Sequence, residues 1–226
     1  MSYLVTGTDT GVGKTLVSRA LLHGFAVRGK RVAGFKPVAA GCDADGCNGD
    51  AKALRAMSSQ PPDYGQVNPY CLREAIAPHI AARKENVNID LSRVVDSYRK
   101  LAARYDVVIV EGAGGFRVPL NDTQDSADLA QALDLPVILV VGMRLGCLNH
   151  ALLTVEAIAA RGLELAGWVA NATVADMAMR DENIAALRQR IAAPLLGTVP
   201  HMAQPGAIMA AGSLDFNLLG PPGAHD

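Results

Sequence analysis

The stretch that most constrains this chain is Gly7-Thr-Asp-Thr-Gly-Val-Gly-Lys-Thr15, set between the apolar run Tyr3 to Gly7 and an amphipathic segment from Lys14 to Arg28. A Gly-rich turn that leaves a strand and opens a helix presents free backbone N–H groups, and such a row surrounds phosphate oxygens. Lys14 can reach β- and γ-phosphates, and the Thr15 hydroxyl can ligate Mg2+. The spacing departs from G-x4-G-K-[ST] at one place, because Thr8 stands where Gly is expected and Gly7 comes one residue early. The competing reading is a strand-to-helix turn that binds nothing, and the flanking strand and helix patterns argue against it.

Strand-like and helix-like runs alternate along the rest of the chain. Strands are expected over Tyr3–Gly7, Arg31–Lys36, Asp106–Glu111, Pro136–Gly142, Leu165–Asn171 and Leu195–Val199, each bounded by Gly, Pro or Asn. Helices are expected over Lys14–Arg28, Leu91–Arg104, Ser126–Leu133, Cys147–Arg161 and Met179–Ile191, with Asp90 as an N-cap. In VVIVEG, VILVVG and AGWVAN both alternating side-chain sets are apolar, as happens when helices cover both faces of a parallel sheet. The expectation is therefore an α/β fold, a three-layer domain with a mainly parallel sheet and helices on both faces. It should occupy residues 1–219 as one domain, with 220–226 as a flexible tail. Loops and short helices are expected from Gly41 to Asn88, at the C-terminal edge of the sheet where ligands bind in this architecture.

Charge narrows the partners. Lys plus Arg is 21 against 22 Asp plus Glu, a formal net charge of -1, with no basic run that would suit nucleic acid or a membrane surface. The longest apolar run, Pro136 to Val141, is far short of the ~18 residues of a membrane span, and the N-terminus lacks a signal-peptide pattern, so a cytoplasmic protein is expected. The four cysteines are too few for a disulfide scaffold and read as buried or loop thiols. The five histidines are scattered without zinc spacing.

Further chemistry collects at strand ends. Glu111, closing VVIVEG before Gly112, Ala113 and Gly114, is placed to hold Mg2+ directly or through water, or alternatively to cap turn amides. Lys36, before Pro37, is a candidate cation of the site or a plain solvated lysine. Asp50 could complete a Thr15/Asp50/Glu111 oxygen set for a hard cation, although a surface-loop Asp is the default. Asn171 is followed by Ala172, Thr173 and Val174 rather than by N-K-x-D, which favours adenine over guanine. Arg144 to Asn149 opens a helix whose free N–H groups favour an anion.

These motifs resemble dethiobiotin synthetase, a P-loop NTPase-like family. The resemblance is carried by VTGTDTGVGKT (5–15), GFKPVAAG (34–41), VNPYCL (67–72), APHIAA (77–82), VIVEGAGG (108–115), LPVILVVGMRLGCLNHALLT (135–154), LAGWVAN (165–171) and APLLGTVP (193–200). It implies an ATP-dependent cyclo-ligase that carboxylates 7,8-diaminopelargonate with CO2 or bicarbonate, giving dethiobiotin, ADP and phosphate through a carbamate and a carbamic-phosphoric anhydride. ATP would be the co-substrate and Mg2+ the cofactor. Carried over by motif, Lys36, Lys14 and Thr10 are catalytic, and Thr15, Asp50 and Glu111 hold the metal. Gly11, Val12, Gly13, Lys14, Thr15, Leu16, Asp50, Glu111, Gly112, Ala113, Gly114, Asn171, Pro200, His201 and Met202 bind ATP. Thr10, Lys36, Ala40, Gly146, Cys147, Leu148 and Asn149 meet the diamine, the last four from the partner subunit of a homodimer. The family pattern often places Ser where this chain has Ala40 and an acidic residue where it has Gly11. A lost hydroxyl bond at 40 is worth ~1 kcal/mol of substrate affinity, and Gly at 11 eases the turn.

Two other function classes share the phosphate loop. One is a related ligase or small-molecule kinase with a different acceptor pocket, against which APHIAA and RLGCLNHA argue by resemblance. The other is a nucleotide-switched dimer that positions cargo or partitions DNA, which usually carries a lysine where this chain has Asp9. A catalytically dead relative would keep the same loop, but here Lys14, Thr15, Lys36 and Glu111 are all intact.

Overall fold

The computed structural model describes residues 1–220. Among them eight strands are formed: β1 (Ser2–Gly7), β2 (Val32–Phe35), β3 (Val38–Ala40), β4 (Tyr70–Leu72), β5 (Val107–Glu111), β6 (Val137–Gly142), β7 (Leu165–Asn171) and β8 (Leu195–Val199). The helices are α1 (Lys14–Val27), α2 (Gly49–Ala56), α3 (Tyr64–Val67), α4 (Pro78–Lys84), α5 (Leu91–Ala102), α6 (Ser126–Leu133), α7 (Cys147–Ala160), α8 (Arg180–Arg190) and α9 (Ala207–Gly212), followed by a 3-10 turn at Phe216–Leu218. The expected tail lies outside the described residues from 221 onward.

The main sheet has six strands in the order β2-β5-β1-β6-β7-β8, and every pairing in it is parallel. All six expected strands are present in it. Successive residues of one strand feed opposite layers: Tyr3 and Val5 of β1 pack with α1 and the 207–219 region, whereas Leu4 packs with residues of α5 and α6. That division is the reason both side-chain sets of the inner strands are apolar. Trp168 on β7 is fully buried in a third cluster with α7 and α8.

The expected strand Arg31–Lys36 is shorter than its apolar run and is continued by a second strand. Pro37 has no N–H to donate, so β2 ends before it and the chain re-forms as β3, which pairs in parallel with β4 as a separate two-stranded sheet. β4, within the segment expected to hold only loops and short helices, had no β-branched run to announce it. β2 is an edge strand yet wholly buried. Its outer N–H groups are covered by the hydroxyls of Ser59 (to Val32, 3.0 Å) and Ser58 (to Gly34, 3.1 Å), which blunts the edge.

The cysteine reading requires correction. Cys42 and Cys71 form a disulfide with their Cα atoms 6.0 Å apart, while Cys47 and the buried Cys147 are free thiols. The bond joins residues 29 positions apart because β3 and β4 lie side by side, with Ala39 opposite Cys71. Spacing in sequence shows only the nearer Cys42/Cys47 pair.

Candidate active site

The C-terminal ends of β1, β2, β5 and β7 converge on one edge of the sheet. The loop after β1 turns into α1 through Gly13, which caps the helix at φ 93° with a backbone that L side chains rarely adopt. A Cβ there would also collide with the amide of Asn171. Asn171 is buried at the end of β7 and donates from Nδ2 to the Val12 carbonyl at 2.8 Å, so it anchors the loop from below. Gly11 sits at φ 74° with open space around it, which accounts for glycine at that position.

Within the loop, Asp9 accepts from the Thr10 amide at 2.7 Å, and its carboxylate is paired with Arg144 from the β6–α7 connection. The Thr10 amide first, and then Arg144, hold the Asp9 carboxyl below the usual range. Lys14 is buried, with its Nζ donating to the Asp9 carbonyl at 2.9 Å. Burial first, and then the positive charge of Lys36, push its ammonium down to about 8.

Lys36 emerges from β2 into the interior. Its Nζ donates to Glu111 Oε1 at 2.6 Å and to the Gly112 carbonyl at 3.1 Å, and lies 3.4 Å from Asp50 Oδ2. Burial alone would lower its pKa, but Glu111 and Asp50 outweigh burial and hold it above the ordinary lysine value. Thr15 Oγ1 donates to the same Glu111 oxygen at 2.9 Å. The second oxygen, Oε2, is buried and has no hydrogen-bond partner among the described residues.

An orphaned carboxylate oxygen beside a hydroxyl and a second carboxylate is a fitting donor set for Mg2+, which takes few protein ligands and keeps water and phosphate oxygens for the rest. Among the described residues, no cluster of three or more His, Cys, Asp or Glu is assembled. The oxygens available are Thr15 Oγ1, Glu111 Oε2 and the Asp50 carboxylate.

A cavity of about 580 Å3 opens next to this group. Its wall includes Thr10, Lys36, Ala40, Asp50, Ala113 and Gly114 from the expected set, together with Ile76, just before α4, and Pro78, its first residue. Leu16 is half-buried on α1, and after β8 Pro200 and His201 are exposed while Met202 is half-buried. Gly146 to Asn149 contribute nothing to the wall among the described residues. Gly146 caps α7 at φ 94°, Cys147 is buried, Asn149 is exposed, and the neighbouring Leu145 is 98% exposed.

Asp9, Asn48 and the 75–78 segment were missed by sequence reasoning. For Asn48 a signal existed, since Asn ahead of Gly-Asp is an N-cap pattern, and its Oδ1 accepts from the Asp50 and Ala51 amides. Asp9 lies in the phosphate loop itself, and Ala77 and Pro78 lie in APHIAA, so position in those motifs was their signal; Ala75 and Ile76 had none, because they reach the wall only through the packing of a separate segment.

Comparison with known proteins agrees with this geometry. The AAA domain family matches residues 1–207. The chain is 56% identical over 216 residues to an ATP-dependent dethiobiotin synthetase of Aromatoleum aromaticum, covering 94% of this chain and 96% of that one. Among solved structures, the cell division protein MinD of Aquifex aeolicus aligns at a TM-score of 0.57 with 14% identity, over 94% of this chain and 87% of that one. The signal recognition particle receptor FtsY of Elizabethkingia anophelis aligns at 0.54 with 17% identity, over 93% of this chain. This chain spans only 64% of that receptor's length. The last two likenesses are of fold alone.

Proposed function

Because this chain belongs to the dethiobiotin synthetase family, we infer that it is an ATP-dependent cyclo-ligase that forms dethiobiotin in biotin biosynthesis, with 7,8-diaminopelargonate and CO2 as the other substrates. The observation that carries the assignment to particular residues is the buried Lys36 beside Glu111, at the mouth of a cavity that adjoins the phosphate loop. Residues 1–219 act as one ligase domain, working in the cytoplasm. Among the described residues, no helix is long and apolar enough to cross a membrane.

The loop from Gly11 to Leu16 holds the phosphates, with Lys14 leaving the Asp9 carbonyl to meet them. Gly112, Ala113 and Gly114 border the transferring phosphate. Asn171, Pro200, His201 and Met202 border adenine. Thr15, Asp50 and Glu111 hold Mg2+, which when bound neutralises phosphate charge. The diamine enters the cavity past Thr10 and Ala40, where an uncharged amine captures CO2 as a carbamate. Lys36 faces the carbamate and the transferring phosphoryl group together, so its charge counts most as negative charge develops between them. Attack of a carbamate oxygen on the γ-phosphate releases ADP, and the second amine then displaces phosphate to close the ring.

Among the described residues the one cation of the cavity wall is Lys36, and it is paired with Glu111. In a homodimer, Gly146, Leu148 and Asn149 of the second copy supply N–H groups at the start of α7 for the substrate's far carboxylate, Asn149 adding its exposed side-chain amide, while Cys147, whose own N–H is held by the Arg144 carbonyl at 3.0 Å, fixes the turn. Asn149→Ala should then raise the diamine KM about tenfold with kcat little changed, and an unchanged KM in steady-state assays counts against the trans site.

The reaction itself is tested by incubating the protein with MgATP, bicarbonate and 7,8-diaminopelargonate while following phosphate release and product mass. Phosphate that appears only with the diamine, together with the dethiobiotin mass, is the expected result. ATP binding or slow hydrolysis indifferent to the diamine would move the assignment to another acceptor.

A further inference from the structure

Lys36, Asp50 and the cavity wall at Ala40 come from separate segments, and one chain of polar groups, buried at Asn48 and Asn68 and half-buried at Tyr64, ties them together. Asn48, 8% exposed, caps α2. Its Oδ1 accepts from the amides of Asp50 (3.0 Å) and Ala51 (3.3 Å), and its Nδ2 donates to the carbonyls of Ala40 (3.4 Å) and Gly41 (3.2 Å). The Asn48 backbone N–H donates to Tyr64 Oη at 2.6 Å, and that hydroxyl donates to Asn68 Oδ1 at 3.0 Å. Asn68, 4% exposed, closes the chain by donating from Nδ2 to the Lys36 carbonyl at 2.6 Å and the Tyr70 carbonyl at 3.1 Å.

Donors and acceptors run head to tail. The Tyr64 hydroxyl accepts from Asn48 and donates to Asn68, with the disulfide sulfur of Cys71 3.6 Å away, and both amide side chains use both of their ends. A polar network satisfied at every member favours one geometry over neighbouring ones, because a slip at either buried asparagine leaves a polar group unpaired at low dielectric. The loops could have met their backbone needs locally, with separate caps and solvent. Here they share one chain whose ends lie on the backbone of Lys36 and on the helix start that carries Asp50.

We propose that Asn48, Tyr64 and Asn68 are positioning residues for the ring-closing reaction, a neutral relay that holds Lys36, Asp50 and the Ala40 wall in a common register. The proposal rests on the functional reading above. None of the three side chains supplies charge, so the relay acts through geometry, where a misplacement of about 1 Å can cost about a hundredfold in rate.

Tyr64→Phe removes the one hydroxyl joining the two halves and keeps the ring. The expected result is a kcat lower by about 10- to 100-fold, with the KM for ATP changed by less than about twofold. Calorimetry with a non-hydrolysable ATP analogue provides a second readout. Affinity without Mg2+ should match the wild type, and the gain on adding Mg2+ should shrink by about fivefold or more as Asp50 loses its placement. A Mg2+ gain within about twofold of wild type overturns the relay, whatever kcat does.

If Tyr64→Phe loses the near-ultraviolet circular dichroism of the folded protein, Asn48→Asp decides instead. It keeps the cap acceptor and cannot donate to Ala40 and Gly41, so the diamine KM should rise about tenfold, and an unchanged KM overturns the relay. If the wild type makes no dethiobiotin, the functional reading falls, and analogue binding, which needs no diamine, still decides the relay.

Discussion

Lys14, at the end of the phosphate loop, and Lys36, at the end of β2, are buried almost equally, 7% and 4% exposed, and are held in opposite ways. Among the described residues Lys14 has no carboxylate within ion-pair distance and rests on a backbone carbonyl. Burial and its neighbour Lys36 therefore depress it to about 8. Lys36 has Glu111 at 2.6 Å and Asp50 at 3.4 Å, and is held above its ordinary value. Burial thus does not by itself set a lysine's charge; the partner does. The phosphate-loop end is short of negative charge until an anion arrives, whereas the β2 end is satisfied within the protein.

The largest effect expected from this difference is on the satisfied side. Glu111→Ala leaves a buried ammonium without its main counter-charge, and denaturant unfolding should show a loss of about 3–5 kcal/mol together with abolished turnover. A loss below about 1 kcal/mol would mean that Lys36 does not need the pair.

Next, Lys36→Ala should lower kcat by about 10²- to 10³-fold in steady-state assays, with the ADP dissociation constant within about twofold of wild type. Full activity would remove its catalytic role.

Lys14→Met should act with the reverse sign on stability. Turnover and nucleotide binding vanish, yet the nucleotide-free protein gains about 1–3 kcal/mol near pH 7, because a depressed lysine costs stability while protonated. The pH window is set by the ordinary value of 10.5 in the unfolded chain and about 8 in the folded one. Between them the unfolded chain holds a proton that the folded chain lacks, so wild-type stability rises with pH. Unfolding curves of wild type and Lys14→Met should converge from pH 8 to 10.5, and a constant offset would break the contrast between the two lysines.

The smallest effect concerns the cavity on the Lys36 side. Ala40 lines it with a methyl group only. Ala40→Ser restores a hydroxyl worth about 1 kcal/mol, so the diamine KM should fall about fivefold while the KM for ATP is unchanged. Equal movement of both would show that the two ends are not independent.

Much of the frame was legible because it depends on local pattern. Short strand-like runs bounded by Gly, Pro or Asn identified all six strands of the main sheet, and the Gly-rich turn that carries Lys14 and Thr15 was found between its strand and its helix. The split of β2 and β3 at Pro37, the strand β4 and the Cys42–Cys71 bond were not legible, since each depends on segments far apart in sequence coming side by side. Asn171 was expected beside adenine, and only the packed structure shows that its amide also anchors the loop at Val12.

The sequence by itself determined the fold class and the residues able to meet a phosphate, because periodicity and turn chemistry act within a few neighbours. Tertiary structure alone decided which lysine has a carboxylate partner, which glutamate oxygen is left unpaired, and how Asn48, Tyr64 and Asn68 join three segments. Charge and hydrogen bonding in a buried site depend on distances of a few ångströms between residues that the chain itself keeps far apart.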